Sequence, residues 1–302
     1  MKFETLAGRI RKYRSYYIFL VPAVVYVAIF DYAPMYGIQI AFKDYKAALG
    51  FSGSPWVGFK HIVDFYNGYY FWRLIRNTLI ISVYSLLAGF PIPILLAIML
   101  NQLNGKVKGF IQTVFYAPHF ISLVVLVGIM YTMFSPSIGV VNTILEAMGH
   151  ERVYFMAEPS LFRHFYVWSG VWQQMGWSAI IYLAALSGVD PELHEAAKID
   201  GASLWQRIIY IELPTIQPTI IILLILRIGG LASVGYEKVY LLQNSLNIDV
   251  SEVISTYVYK RGIINNNFSF SAAVGLFNNV VNVIMLALAN SLSRKVNETS
   301  LF

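Results

Sequence analysis

Six stretches of this chain, at about residues 16–42, 72–100, 110–134, 164–186, 215–234 and 270–292, are predominantly apolar. Each runs for about 20 residues or more, enough to cross a hydrocarbon core of about 30 Å as a helix. Only 13% of the 302 residues are charged and 57% are hydrophobic, against about 25% charged in ordinary soluble domains. The bilayer is therefore the expected solvent, and an all-α integral membrane fold with six transmembrane helices is the expected architecture. Pro91, Pro93 and Pro118 fall inside these runs. They would break a soluble helix, but a membrane span tolerates them where neighbours satisfy the freed carbonyls. The first run is too long for a signal peptide and lacks a small-residue cleavage site, so it reads as an uncleaved span.

Six spans place both ends on one side. Lys2, Arg9, Arg11, Lys12 and Arg14 precede the first span, and a basic flank there sets a cytoplasmic N-terminus. The turn NQLNGKVKG at 101–109, the polar stretch at 190–214 and the C-terminal tail then share the cytoplasmic side. The expected division is a cytoplasmic arm at 1–15, a six-span domain at 16–293 that includes the loop 190–214, and a cytoplasmic tail at 294–302. The net charge of +6 fits positive-inside loops rather than nucleic-acid binding. There is no cysteine, hence no disulfide, thiolate nucleophile or thiolate metal site. No G-x-x-x-x-G-K-[ST], G-x-S-x-G or H-E-x-x-H occurs, and the five histidines are scattered. No catalytic residue, metal site or bound cofactor is expected. His119 reads as a packed interior histidine and Asp31 as an interfacial carboxylate. Function is to be sought in a pathway and in its coupling to something else.

The polar stretch DPELHEAAKIDGASLWQRIIYIELP (190–214) is built as a helical hairpin. Asp190 is an N-cap followed by Pro191 at the first helical position. Leu193, Ala196, Ala197 and Asp200 share one face, and Gly201 is the expected stop. Ser203 and Gln206 have capping-box spacing for a second helix, carrying Leu204, Trp205, Ile208 and Ile209 and limited by Pro214.

Glu195-Ala196-Ala197, three residues, Gly201, nine residues, Ile211, one residue and Leu213-Pro214 resemble the EAA loop of the membrane subunits of binding-protein-dependent ABC importers. Asp200 and Ala202 complete the DGA form found in sugar permeases. FDYAPMYGIQIAFKDY, WVGFKH, RNTLIIS and IGVVNTILEAMG are similar to the carbohydrate-uptake group, so the resemblance covers nearly the whole chain. It points to the oligosaccharide permeases related to the maltose transporter. It implies a type I importer in the bacterial cytoplasmic membrane. A second permease subunit, from the resemblance a paralogue, would complete the path. Two ATPase subunits would hold the ATP and magnesium and bind the EAA loops, and an extracellular solute-binding protein would deliver an oligosaccharide. Glu195, Ala196, Ala197, Asp200, Gly201 and Ala202 are then the coupling residues. The hairpin would lie between the fourth and fifth spans as a cytoplasmic coupling element.

In the maltose-transporter relatives, sugar contacts come from the spans before and after this loop. Counting outward implies Trp172, Gln173, Gln174 and Trp177 in the first, and Arg227, Gly230, Leu231, Ser233 and Val234 in the second. Arg227 is the departure from that pattern. A guanidinium within a span faces an interior or a water-filled cavity. It either ties helices together or meets a substrate carboxylate bidentately, which would make the cargo a uronate-containing oligosaccharide. The rival readings are a permease for a non-sugar solute and an integral membrane transferase.

Overall fold

A computed structural model describes residues 12–297. Lys2, Arg9 and Arg11 of the expected arm, and residues 298–302 of the expected tail, lie outside the described residues. Apart from one isolated bridge between Lys43 and Trp56, the regular structure among the described residues is helical. The chain forms two compact units, one of residues up to Tyr66 with Arg261–Leu276, the other of Asn67–Lys260 with Phe277 onward.

The first unit begins with α1 (Arg14–Phe42), apolar over its length and with none of its most apolar window buried. A helix that is hydrophobic all round and uncovered by its own chain needs lipid or another subunit around it. After α1 the chain folds back on itself. The Lys43 ammonium sits 4.7 Å above the Trp56 ring and donates to the Phe51 carbonyl. His61, on α2 (Lys60–Tyr66), places Nε2 3.1 Å from the Lys43 carbonyl. The Tyr45 amide donates to Ser269 Oγ at 2.8 Å.

The second unit holds α3 (Phe71–Asn101), α4 (Gly105–Phe120), α5 (Leu123–Met133), α6 (Val140–Ala147), α7 (Pro159–Leu186), α8 (Pro191–Ile199), α9 (Leu204–Gly229), α10 (Tyr236–Leu242) and α11 (Ile254–Tyr259). The last helix, α12 (Phe268–Asn297), starts in the first unit and continues into the second. By length and apolarity α1, α3, α9 and α12 qualify as spans, and the bent pair α4–α5 makes five. The remaining expected run, the fourth, is α7. Its 28 residues reach about 42 Å, but Gln173 and Gln174 at its middle lower its apolarity.

That pair has a structural reason. The third run is not the single straight span expected from sequence: α4 and α5 meet at 96°. Pro118-His119-Phe120 ends α4 in a tight turn, and Ser122 Oγ restarts the chain by accepting from the Val125 amide. The Ile121 carbonyl, freed at the corner, accepts from Gln173 Nε2 at 2.8 Å. His119 Nδ1 lies 2.9 Å from Gln174 Oε1, and its ring stacks on Trp177 at 4.3 Å. His119 is thus packed and hydrogen-bonded, as expected. One turn of α7 satisfies a broken backbone that lipid could not. The two helices close tightly here because residue 176 is glycine: a Cβ would lie 2.0 Å from the Phe115 carbonyl oxygen.

α7 is the central element, packed by α3, α4 and α9. One apolar cluster joins Ile81, Leu126, Val127, Phe162, Val239 and Leu242 from α3, α5, α7 and α10. Another joins Leu96, Leu100, Tyr182, Leu186, Ile208 and Ile216 from α3, α7 and α9.

The hairpin's second helix also differs from expectation. Pro214 does not limit it: the helix continues unbroken from Leu204 to Gly229. Proline lacks an N–H and clashes with the carbonyl four residues back. The turn immediately before it, Ile208–Glu212, is a π-turn. The wider turn shifts the ladder by one residue, so the proline enters without stopping the helix.

Candidate functional site

The hairpin is held by its own backbone. Asp190 caps α8 by accepting from the Glu192 amide at 2.9 Å. At the other end the Gly201 amide donates to the Lys198 carbonyl at 3.1 Å, and the Ala202 amide reaches back to Ala197 at 2.8 Å. This pair of bonds is a Schellman closure and needs a left-handed residue between them. Gly201 supplies it with φ +75°. Ser203 and Gln206 then form a reciprocal capping box. Glu195, Ala196, Asp200 and Gly201 are exposed, while Ala197 and Ala202 are partly covered. Beside them Ile199 is 87% exposed and Trp205 71%. The stop presents small side chains, two carboxylates and two large apolar ones, on a rigid frame.

Behind the hairpin lies a buried carboxylate. Glu212, in the π-turn of α9, is 2% exposed. It accepts from Gln102 Nε2 at 2.9 and 3.1 Å and from Asn101 Nδ2 at 3.3 Å, and His194 Nε2 of α8 lies 3.8 Å away. Sequence reading passed over it, because a lone Glu beside Leu-Pro gives no periodic signal.

A cavity of about 520 Å³ lies between α3, α7, the end of α9 and α10. Of the residues singled out from sequence, Gln173, Gln174, Arg227, Gly230, Leu231, Ser233 and Val234 line it. Trp177 lines an adjoining pocket with Arg227. Trp172 lines neither and is 44% exposed on α7. The wall also contains Ser82, Ser85, Tyr166, Ser178 and Lys238, and no acidic residue. Ser82, Ser85 and Gly89 are spaced i, i+3, i+7, so this small polar face of the second span was legible in principle. Lys238 was not, being one lysine in a polar connection.

Each polar wall has an identifiable support. The turn after α9 is pinned by Asn282 of α12, which accepts from the Ala232 amide at 2.9 Å and donates to Ser233 Oγ at 2.7 Å. Arg227 projects toward α3, its guanidinium 3.9 Å from where a Cβ on Gly89 would sit, ordinary contact distance. The ion pairs found among the described residues do not include Arg227. Lys238 is 8% exposed. Its ammonium donates to the Tyr166 carbonyl at 2.7 Å and sits 4.9 Å over the Tyr166 ring. Burial pushes it down from its ordinary 10.5 to about 8. The cavity therefore offers two cations, hydroxyls and amides, with no carboxylate among the described lining residues to neutralise them. Such a wall accepts an anionic, hydroxyl-rich solute.

These features define a membrane-embedded transport subunit, and the chain belongs to the family described as "Binding-protein-dependent transport system inner membrane component", whose model matches residues 89–298. Among its relatives is Protein LplB of Bacillus subtilis (strain 168), 44% identical over 95% of this chain and 90% of that one. Another is the polygalacturonan/rhamnogalacturonan transport system permease protein YteP of the same organism, 42% identical over 95% and 89%. A solved bacterial ABC transporter involved in the import of the acidic polysaccharide alginate contains a chain 41% identical to this one. It covers 97% of this chain and 100% of its own, with a TM-score of 0.89. The chain is accordingly a multi-pass ABC permease of the inner membrane.

Proposed function

We propose that this chain forms half of the translocation path of an ATP-driven importer for acidic oligosaccharides. The observation that carries the reading is the cavity wall: Arg227 and Lys238 face it with Ser82, Ser85, Ser233 and Gln174, and none of its residues is acidic. A guanidinium takes a carboxylate in two parallel bonds, and an ammonium takes one as a point charge. The relatives named for polygalacturonan and rhamnogalacturonan transport and the alginate importer support the same cargo class. The path is completed by a second permease, and cargo arrives on an extracellular binding protein. A related structure contains an alginate pentasaccharide-bound periplasmic protein.

The hairpin at 190–214 is the docking element for a separate ATPase, which holds the ATP and magnesium. Glu195, Ala196, Ala197, Asp200, Gly201 and Ala202 make the contact. The hairpin and both termini face the cytoplasm in this reading.

The test compares uptake of an oligouronate with that of a neutral oligosaccharide of equal length in proteoliposomes. Arg227→Gln loses the acidic cargo selectively, by about 5- to 150-fold for a lost charge-assisted pair of about 1–3 kcal/mol. An equal loss for both cargoes, or no loss, removes the acidic assignment.

A further inference from the structure

We infer that Glu212 is a positioning residue that clamps the coupling hairpin to the end of α3, so that α8, the root of α9 and α3 move as one body. The inference rests on the reading of 190–214 as the ATPase-docking element and goes beyond it, since Glu212 is outside the docking surface.

Three observations converge on this carboxylate. It is 2% exposed, and a buried carboxylate without partners is strongly unfavourable. Its partners come from separate elements: Asn101 and Gln102 end α3, and His194 belongs to α8. It also sits in the π-turn that lets the chain pass Pro214. π-turns within helices often mark functional sites.

The geometry explains why a charge is used. Below the π-turn, α8 holds itself together by caps and presents an exposed surface. Only Ile208 and Glu212 of the root are buried in the π-turn. Ile208 packs against α3 and α7 but can slide. The Gln102 amide meets both carboxylate oxygens, which fixes direction as well as distance. A push on α8 therefore reaches α3 through the Glu212 carboxylate at the root of α9.

The test uses the assembled transporter, with both permeases, the ATPase pair and the binding protein. The chain has no cysteine, so cysteines introduced at Glu192 on α8 and Met99 on α3, both exposed and outside the docking residues, take two spin labels at defined places. In the wild type the distance distribution is narrow and unchanged between nucleotide-free and ATP-vanadate-trapped states. In Glu212→Ala it broadens, trapping shifts it, and oligouronate uptake per ATP hydrolysed falls about tenfold or more. Gln102→Ala gives the same effect in weaker form and carries the test if Glu212→Ala fails to assemble. The exchange Glu212→Gln with Gln102→Glu restores the narrow distribution, which a merely structural loss would not allow. A narrow, unshifted distribution in both single variants overturns the inference, as does a wild-type distance that changes on trapping. Failure of the docking reading is seen separately, as an ATPase that still co-purifies with Gly201→Asp.

Discussion

Lys238 should oppose stability and serve transport, so Lys238→Met separates the two. Burial brings its pKa from 10.5 to about 8, which corresponds to about 3 kcal/mol against holding the charge at neutral pH. Against this stands the bond to the Tyr166 carbonyl, a charge-assisted contact of about 1.5–3 kcal/mol. The difference means that methionine, similar in length and apolar, should leave the empty protein more stable at pH 7 by up to about 1.5 kcal/mol. The sign follows from linkage: between pH 8 and 10.5 the unfolded chain binds more protons than the folded one, so wild-type stability rises with pH and the gap closes. Cargo runs the other way. A carboxylate binds the protonated lysine, so the half-saturation concentration for an oligouronate rises as pH passes about 8 in the wild type. In Lys238→Met it is weaker and flat. Tyr166 and Arg227 are the other ionisable groups on the wall; Tyr166→Phe is the control and keeps the profile. The assays are thermal unfolding of the purified transporter and uptake from pH 6.5 to 9.5. A Met variant less stable at pH 7, or one with unchanged acidic uptake and pH profile, refutes the reasoning.

Two further outcomes concern the frame. Gly201→Asp forces a side chain into φ +75° and places a charge on the proposed docking surface, and Glu195→Lys reverses a charge there; both should abolish uptake while membrane insertion, measured by immunoblot, is normal. Intact ATPase assembly and transport in both would count against the docking role. Gly176→Ala puts a methyl 2.0 Å from the Phe115 carbonyl. Overpacking of about 1–3 kcal/mol or more should lower the yield of folded protein in detergent chromatography, and a normal yield would show that α4 can move aside.

Local structure was legible wherever a short-range rule decides it. Asp190-Pro191, Gly201 and Ser203-x-x-Gln206 each satisfy backbone groups within a few residues, and all three caps formed as read. What failed to show was set by partners distant in sequence. The corner between α4 and α5 depends on Gln173, about 50 positions later. Nothing in the run 110–134 announces that its freed carbonyl will find an amide. Pro214 was read as a stop because a π-turn has no residue signature. The same limit applies to the cavity. Arg227 stood out because arginine is rare within apolar sequence, whereas Lys238 acquires meaning only when α10 folds against α7.

The continuity of α9 is what joins the two halves of the mechanism. A helix stopped at Pro214 would have left the hairpin and the fifth span as separate bodies with a hinge between them. Motion imparted by an ATPase could then dissipate in the hinge. The helix instead runs from Leu204 to Gly229, and Glu212 and Arg227 are 15 residues apart, about 22 Å along one axis. At its upper end Gly229 lies so close to α12 that a Cβ would be 2.7 Å from the Leu286 side chain, and Asn282 pins the next turn. The π-turn before Pro214 is where the buried carboxylate ties the helix to α3. Pro218 also lies within α9, but the helix runs on through it, so a tilt imposed at the hairpin is carried along the axis toward Arg227 at the cavity wall. In the proposed reading, the cation assigned to the cargo is therefore carried by the element assigned to the ATPase.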